Sequence, residues 1–348
     1  MRVGLIGNRF SGKTAIFNLL TNQLKNRFKK DGAVLATVDV ADERVNYLSN
    51  IYKPKKTIFA KMEFADFTDF DTGLSNNKQL IPSSMAKIRT IDALALVVDN
   101  FSHKQNAQEI KSFINIYKAE LLLSDLILAE NRVKNIEQNL KKGKKEKSDL
   151  NEVETLTKLI TGLQEETPIS EMTLTDNETI AIKGIQFFTK KPFFTIVNST
   201  EQTYGKLDLT KNDPLSNILE VAAIYELELL SLDDEDRISF LTDVGIDTQA
   251  LERLTTLLYK TLGYNTFFTV GSDEVRAWTI KDGTFAKKAA GKIHSDIERG
   301  FIRAECFNFE DLKKFGSEKK LKENKIIRLE GKNYPVKDGD IMNFRFNV

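Results

Sequence analysis

Eight residues near the N-terminus, Gly7-Asn8-Arg9-Phe10-Ser11-Gly12-Lys13-Thr14, meet the spacing G-x-x-x-x-G-K-[ST]. In such a loop the glycines let backbone N–H groups converge on phosphates, the lysine adds positive charge at the terminal phosphates, and the hydroxyl holds magnesium. The chemistry to expect is binding of a nucleoside triphosphate, ATP or GTP, with Mg2+ by Asn8, Arg9, Phe10, Ser11, Gly12, Lys13 and Thr14. Further along, "EFADFTD" (Glu63–Asp69) places Asp66 at a strand end, where a carboxylate holds magnesium through water. Asn198-Ser199-Thr200-Glu201 then gives N-x-x-E where GTPases carry N-K-x-D. Guanine offers two donors on one edge, which suits a bidentate aspartate, whereas adenine offers one amino group beside an acceptor. Glu201 therefore weakens the case for GTP.

These residues need a frame. Met1–Ile6 reads as a buried strand and Thr14–Leu20 as the helix that follows the turn, the context a phosphate loop requires. Apolar runs at Thr57–Phe67, Ala93–Phe101 and Pro192–Asn198, separated by helical stretches, indicate a parallel sheet covered on both faces. Between the last two, Leu122, Leu126, Ala129, Val133, Ile136 and Leu140 follow steps of three and four. Val153, Leu156, Ile160 and Leu163 resume that spacing after "KKGKKEK" (Lys141–Lys147), which predicts an antiparallel helical hairpin. Its lysine-rich tip reads either as a solvated turn or as a contact for RNA phosphates. After Gly263 the texture becomes short strands, "EVRAWTI", "GFIRAECF", "KIIRLEGKNYPV" and "DIMNFRF", as in a small separate sheet domain of about eighty residues.

With 348 residues the chain has length for two or three domains, and 51 Lys+Arg against 50 Asp+Glu names no partner by charge. The single cysteine, Cys306, excludes an internal disulfide, and His103 and His294 are too few for a typical zinc site. Without a leader pattern or an apolar run near twenty residues, the chain reads as cytoplasmic, with no membrane association.

Several blocks, "DDEDR" (Asp233–Arg237), "EVRAWTI" (Glu274–Ile280), "AAGKIHSDIERGFIRAE" (Ala289–Glu305), "RLEGKNYPVKDGDIMNFRFNV" (Arg328–Val348) and "ELLLSDLILAENR" (Glu120–Arg132), resemble the YchF / Obg-like ATPase family from end to end. That resemblance implies an α/β P-loop NTPase domain interrupted by an antiparallel helical hairpin and followed by a β-grasp domain of the TGS type. The expected boundaries are 1–118 and 189–264 for the nucleotide-binding domain, 119–188 for the hairpin and 265–348 for the TGS-like domain. It also implies ATP preference through Asn198 and Glu201, a ribosome or RNA partner, no DNA specificity, and a monomer.

This copy departs from the family pattern at the loop and both switches. Arg9, Phe10 and Ser11 replace the usual residues, and Arg9 either covers the γ-phosphate or points to solvent. Asp31 or Gly32 stands where the first switch threonine belongs, with Thr37 displaced, and Asp69 replaces the second switch glycine. Ile224 stands where a base-contacting lysine is expected. Family members are thought to use a histidine after the "LVVDNF"-like strand; His103 is either that catalytic residue or a surface histidine. The expected function is an ATP-preferring, slowly hydrolysing NTPase that couples nucleotide state to ribosome or RNA binding. The alternative is a hydrolysis-deficient paralogue acting as an interaction scaffold.

Overall fold

The apolar run Val3–Ile6 forms the buried end of strand β1 (Arg2–Ile6), and the chain turns at Gly7 into helix α1 (Lys13–Leu20), whose Ile16, Phe17, Leu19 and Leu20 are buried. The structure is a computed structural model; it describes residues 2–21, 28–30, 33–67, 88–101, 106–142, 147–207, 217–246 and 249–347. The chain divides into two units, Met1–Thr37 with Glu63–Ala250, and Val38–Met62 with Leu251–Val348. Residues 38–62, which sequence pattern alone assigns to the nucleotide-binding domain, thus contribute helix α2 (Glu43–Tyr52) and strand β4 (Lys56–Ile58) to the second unit.

The first unit is built on a sheet in the order β2-β3-β5-β1-β6-β7-β8. Its remaining strands are β2 (Phe28–Lys30), β3 (Ala33–Asp39), β5 (Lys61–Asp66), β6 (Ala93–Asn100), β7 (Phe193–Ser199) and β8 (Ile218–Val221). Strand β1 pairs in parallel with β5 and β6, and β6-β7-β8 continue in parallel, whereas β2 and β3 are antiparallel. The expected parallel sheet is present; β2, β3 and β8 are too short or too mixed in pattern to stand out as apolar runs. Burial along nearly the whole of β6 agrees with a central strand covered on both faces.

Helix α3 (Ala107–Lys141) begins well before the expected residue 119 because Asn106 caps it. The Asn106 side chain accepts from Glu109 N at 2.9 Å, and Glu109 Oε2 accepts from Asn106 N at 3.1 Å. One stripe of α3, Ile110, Ile114, Tyr117 and Leu121, packs into the sheet core. Farther along, Ala129 and Ile136 pack with Leu156, Leu159 and Leu163 of helix α4 (Lys147–Gln164), as the heptad seam predicts. Asp125 lies between the two cores, fully buried, and accepts from Arg89 Nη1 (2.8 Å), Phe188 N (3.0 Å), Thr189 N (2.7 Å) and Thr189 Oγ1 (2.9 Å). These donors satisfy a carboxylate that would otherwise be costly to bury.

The second unit holds a sheet in the order β12-β11-β13-β9-β10-β4. Its C-terminal strands are β9 (Tyr264–Thr269), β10 (Glu274–Lys281), β11 (Phe301–Asn308), β12 (Arg328–Glu330) and β13 (Asp340–Phe346). Four of them match the expected strands, and β9 is an addition. Segment 38–62 is woven in: β4 pairs in parallel with β10, Arg44 Nη1 donates to Asp338 Oδ2 at 2.6 Å, Tyr52 OH donates to Glu318 Oε1 at 2.6 Å, and the Tyr47 ring stands edge-on to Phe309. Among the described residues, no helix is long and apolar enough to cross a membrane.

Candidate nucleotide site

Two glycines shape the loop by steric necessity. Gly7 has φ of 144°, and a Cβ there would lie 2.3 Å from the Val97 carbonyl oxygen. Gly12 has φ of 89°, and its Cβ would lie 2.0 Å from Asn198 Nδ2. Lys13, buried at the start of α1, folds back over the loop and donates from Nζ to Gly7 O (2.9 Å) and Asn8 O (2.7 Å). The ammonium is therefore held at the mouth of a strand–loop–helix turn, beside the helix N-terminus that favours anions.

Thr14 and Asp66, both expected at a magnesium ion, bond each other directly. Thr14 Oγ1 donates to Asp66 Oδ2 at 2.9 Å, while Asp66 Oδ1 is buried with no hydrogen-bond partner among the described residues. Burial pushes the Asp66 carboxyl above the usual aspartate value, against the opposing pull of the Thr14 hydrogen bond and the Lys13 charge. A hydroxyl and an underused carboxylate are hard oxygen donors, the set a magnesium ion takes alongside substrate phosphates. The described residues hold no cluster of three or more His, Cys, Asp or Glu able to form an all-protein metal cage. The donors present therefore fit Mg2+ held jointly by the chain and a nucleotide.

Arg9 is exposed, and its guanidinium carbon lies 5.2 Å from the centre of the Phe10 ring. Phe10 is 82 % exposed and has φ of 67°, a left-handed conformation uncommon for an aromatic residue. Ser11 is buried, and its hydroxyl oxygen has no hydrogen-bond partner among the described residues.

At the far side of the loop, Asn198 is buried at the end of β7. Its Nδ2 donates to Ser11 O (3.2 Å), and its Oδ1 accepts from Ala223 N (3.3 Å). Asn198 thus fastens the phosphate loop to the helix Ala223–Leu229. Glu201 is exposed in the turn after β7; with burial first and Asp243 as well, it pushes the Tyr225 phenol pKa up. Ile224, in the place of the expected lysine, is 60 % exposed. Thr37 lies exposed in β3. His103, Asp69, Asp31 and Gly32 lie outside the described residues.

Sequence reasoning missed Tyr117, whose hydroxyl donates to Asn8 Oδ1 at 2.6 Å from helix α3. The available signal was its place as the one polar-tipped member of the stripe Ile110, Ile114, Tyr117, Leu121.

Comparison with known proteins bears on these features together. A family model described as "YchF-GTPase_C: Protein of unknown function (DUF933)" matches residues 264–347. The "Ribosome-binding ATPase YchF" of Bacillus subtilis (strain 168) is 33% identical over 368 residues, with 100% of both chains covered. That of Escherichia coli O157:H7 is 34% identical over 365 residues, covering 100% of this chain and 99% of its own. Among solved structures, the Schizosaccharomyces pombe YchF GTPase superposes with a TM-score of 0.80 at 23% identity, over 99% of this chain and 97% of that one. A GTP-binding protein from Pyrococcus horikoshii OT3 gives 0.61 at 15% identity, with both chains fully covered.

Proposed function

Because this chain belongs to the YchF family, we propose that it binds a nucleoside triphosphate with Mg2+ at the loop Asn8–Thr14 and couples occupancy of that site to association with ribosomes or RNA in the cytoplasm. The observation that supports nucleotide binding best is the meeting of Thr14 Oγ1 with Asp66 Oδ2 at 2.9 Å, beside a buried Asp66 oxygen without a partner among the described residues. Lys13 sits ready to exchange its loop carbonyl bonds for phosphate oxygens. When bound, magnesium would neutralise charge on the terminal phosphates; Thr14 and Asp66 would hold it there.

Base selection falls to Asn198, Glu201 and their surroundings. Asn198 uses one amide hydrogen on the Ser11 carbonyl, leaving the other for a purine ring nitrogen, which adenine and guanine share. Glu201 is then the discriminating group, and ATP is the preferred ligand.

Hydrolysis by such a site rests on positioning and charge stabilisation of an attacking water. Arg9, stacked on Phe10 and facing solvent, supports the second reading of a chain that binds nucleotide but turns it over slowly or not at all. Both readings are separated by measuring ATP and GTP affinity with and without Mg2+, then single-turnover hydrolysis on the same preparation. Tight Mg2+-dependent ATP binding with slow cleavage is the expected result; tight GTP with weak ATP overturns the base assignment, and no binding of either overturns the reading itself.

A further inference from the structure

The first helix of the hairpin reaches the nucleotide site directly. Tyr117, almost fully buried on α3, donates its phenol hydrogen to Asn8 Oδ1 at 2.6 Å. Packing fixes its ring: the Phe113 ring centre lies 5.0 Å away, and Ile114 and Leu121 share the sheet core with it. The backbone carbonyl of the same Asn8 accepts from Lys13 Nζ at 2.7 Å. Asn8 therefore takes the hairpin's contact on its side chain and the lysine's contact on its main chain.

We propose that Tyr117 is a positioning residue for the nucleotide site, holding the phosphate loop in a binding-ready shape through Asn8 and making occupancy of the loop felt along α3. The inference rests on the reading that Asn8–Thr14 binds a nucleoside triphosphate. Three observations carry it. The loop contains Phe10 at φ of 67°, a conformation an aromatic residue does not choose alone, so contacts outside the loop must hold it. Tyr117 is such a contact, and it is anchored in a packed core rather than in another loop. A phenol hydroxyl buried in an otherwise apolar stripe is costly to leave without a hydrogen bond, and Asn8 Oδ1 accepts one from it.

Helix α3 also continues unbroken from Tyr117 to Lys141, a rise of about 36 Å at 1.5 Å per residue. A displacement of Asn8 on nucleotide binding therefore acts at Tyr117 on a continuous rod that runs on to Lys141. By linkage, an agent that holds the hairpin must alter nucleotide affinity in turn.

The test uses the full chain with Tyr117→Phe, which keeps the ring and removes the hydroxyl, Asn8→Ala, and the double variant. Titration with a fluorescent ATP analogue and Mg2+ is expected to show each single change weakening binding roughly five- to tenfold, and the double change no more than either alone. Amide hydrogen exchange supplies the second readout. In nucleotide-free Tyr117→Phe, residues 8–13 exchange faster than in the unaltered chain. In the unaltered chain nucleotide slows exchange around residues 113–121, and Tyr117→Phe loses that response. Unchanged affinity with unchanged loop exchange in Tyr117→Phe, or independent effects that multiply in the double variant, overturns the assignment. Failure of the unaltered chain to bind ATP or GTP overturns the nucleotide reading first and the inference with it.

Discussion

Asp66 carries a conflict that its neighbours only partly relieve. Its carboxylate is buried against Thr14, and burial holds its pKa above the ordinary aspartate value. A carboxyl whose folded pKa is raised favours the folded chain while it is protonated, and that contribution is lost as pH climbs from the ordinary aspartate value through the raised one. Above the ordinary aspartate value the Asp66 carboxyl therefore costs stability in the nucleotide-free protein. Asp66→Asn should raise the melting temperature of the nucleotide-free chain at pH 7, show no such gain below the ordinary aspartate range, and abolish the Mg2+ dependence of nucleotide affinity. Calorimetry at two pH values, paired with titrations with and without Mg2+, checks it. Phe10 is a second residue in tension, since its left-handed backbone costs about 1–2 kcal/mol and its exposed ring recovers little of that by packing. Phe10→Asn should stabilise the chain by roughly 1 kcal/mol in denaturant unfolding. The gathering of Lys13, Thr14 and Asp66 at the turn after β1 was legible in sequence, because the pattern expected of a phosphate loop ties residue type to spacing. The place of the Arg9 side chain was not, because loop spacing says nothing about the Phe10 ring on which the guanidinium settles. The Tyr117–Asn8 bond was hidden for a related reason: it joins residues 109 positions apart in the chain, and no local pattern reports such a pairing.

At the scale of elements, the hairpin is an extension of the sheet domain rather than an appendage. Helix α3 serves two cores in succession, and the change from one to the other falls at Asp125, where Arg89, Phe188 and Thr189 close round the carboxylate. Asp125→Ala should destabilise the first unit by roughly 3–5 kcal/mol, since it leaves the part-buried Arg89 guanidinium without its counter-charge and two backbone N–H groups without their acceptor. Equilibrium unfolding followed by circular dichroism measures it, and a loss under 1 kcal/mol would show that the junction is replaceable. The heptad seam made this hairpin readable, because a spacing of three and four persists through both arms. The early start of α3 was not readable from the seam, since its first turns carry the stripe that faces the sheet. The cap at Asn106 with Glu109 is the local signal that marks it.

For the molecule as a whole, the unexpected element is segment 38–62, which is local to the nucleotide-binding domain in sequence and belongs to the second unit in space. Sequence pattern cannot report this, because α2 and β4 look like any helix and strand until β10 supplies the pairing edge. Arg44 is its main fastening: the guanidinium bonds Asp42 and Asp338, and those charged partners raise its pKa despite the opposing effect of burial. Arg44→Ala should lower the stability of the second unit by about 2 kcal/mol. Hydrogen exchange should show the loss in β9 and β13 while β6 and β7 keep their protection; equal loss in both would contradict the division into two units.

The placement of β4 also sets an order of events during synthesis. Residues 38–62 emerge early, yet the strand that β4 joins and the Asp338 that Arg44 bonds emerge only with the last hundred or so residues. Until then α2 carries the apolar Val45 and Leu48 without the unit that buries them. The nascent chain thus has an early interval in which a sticky helix waits for its mate, and a chain cut short at about residue 250 should remain in that aggregation-prone condition.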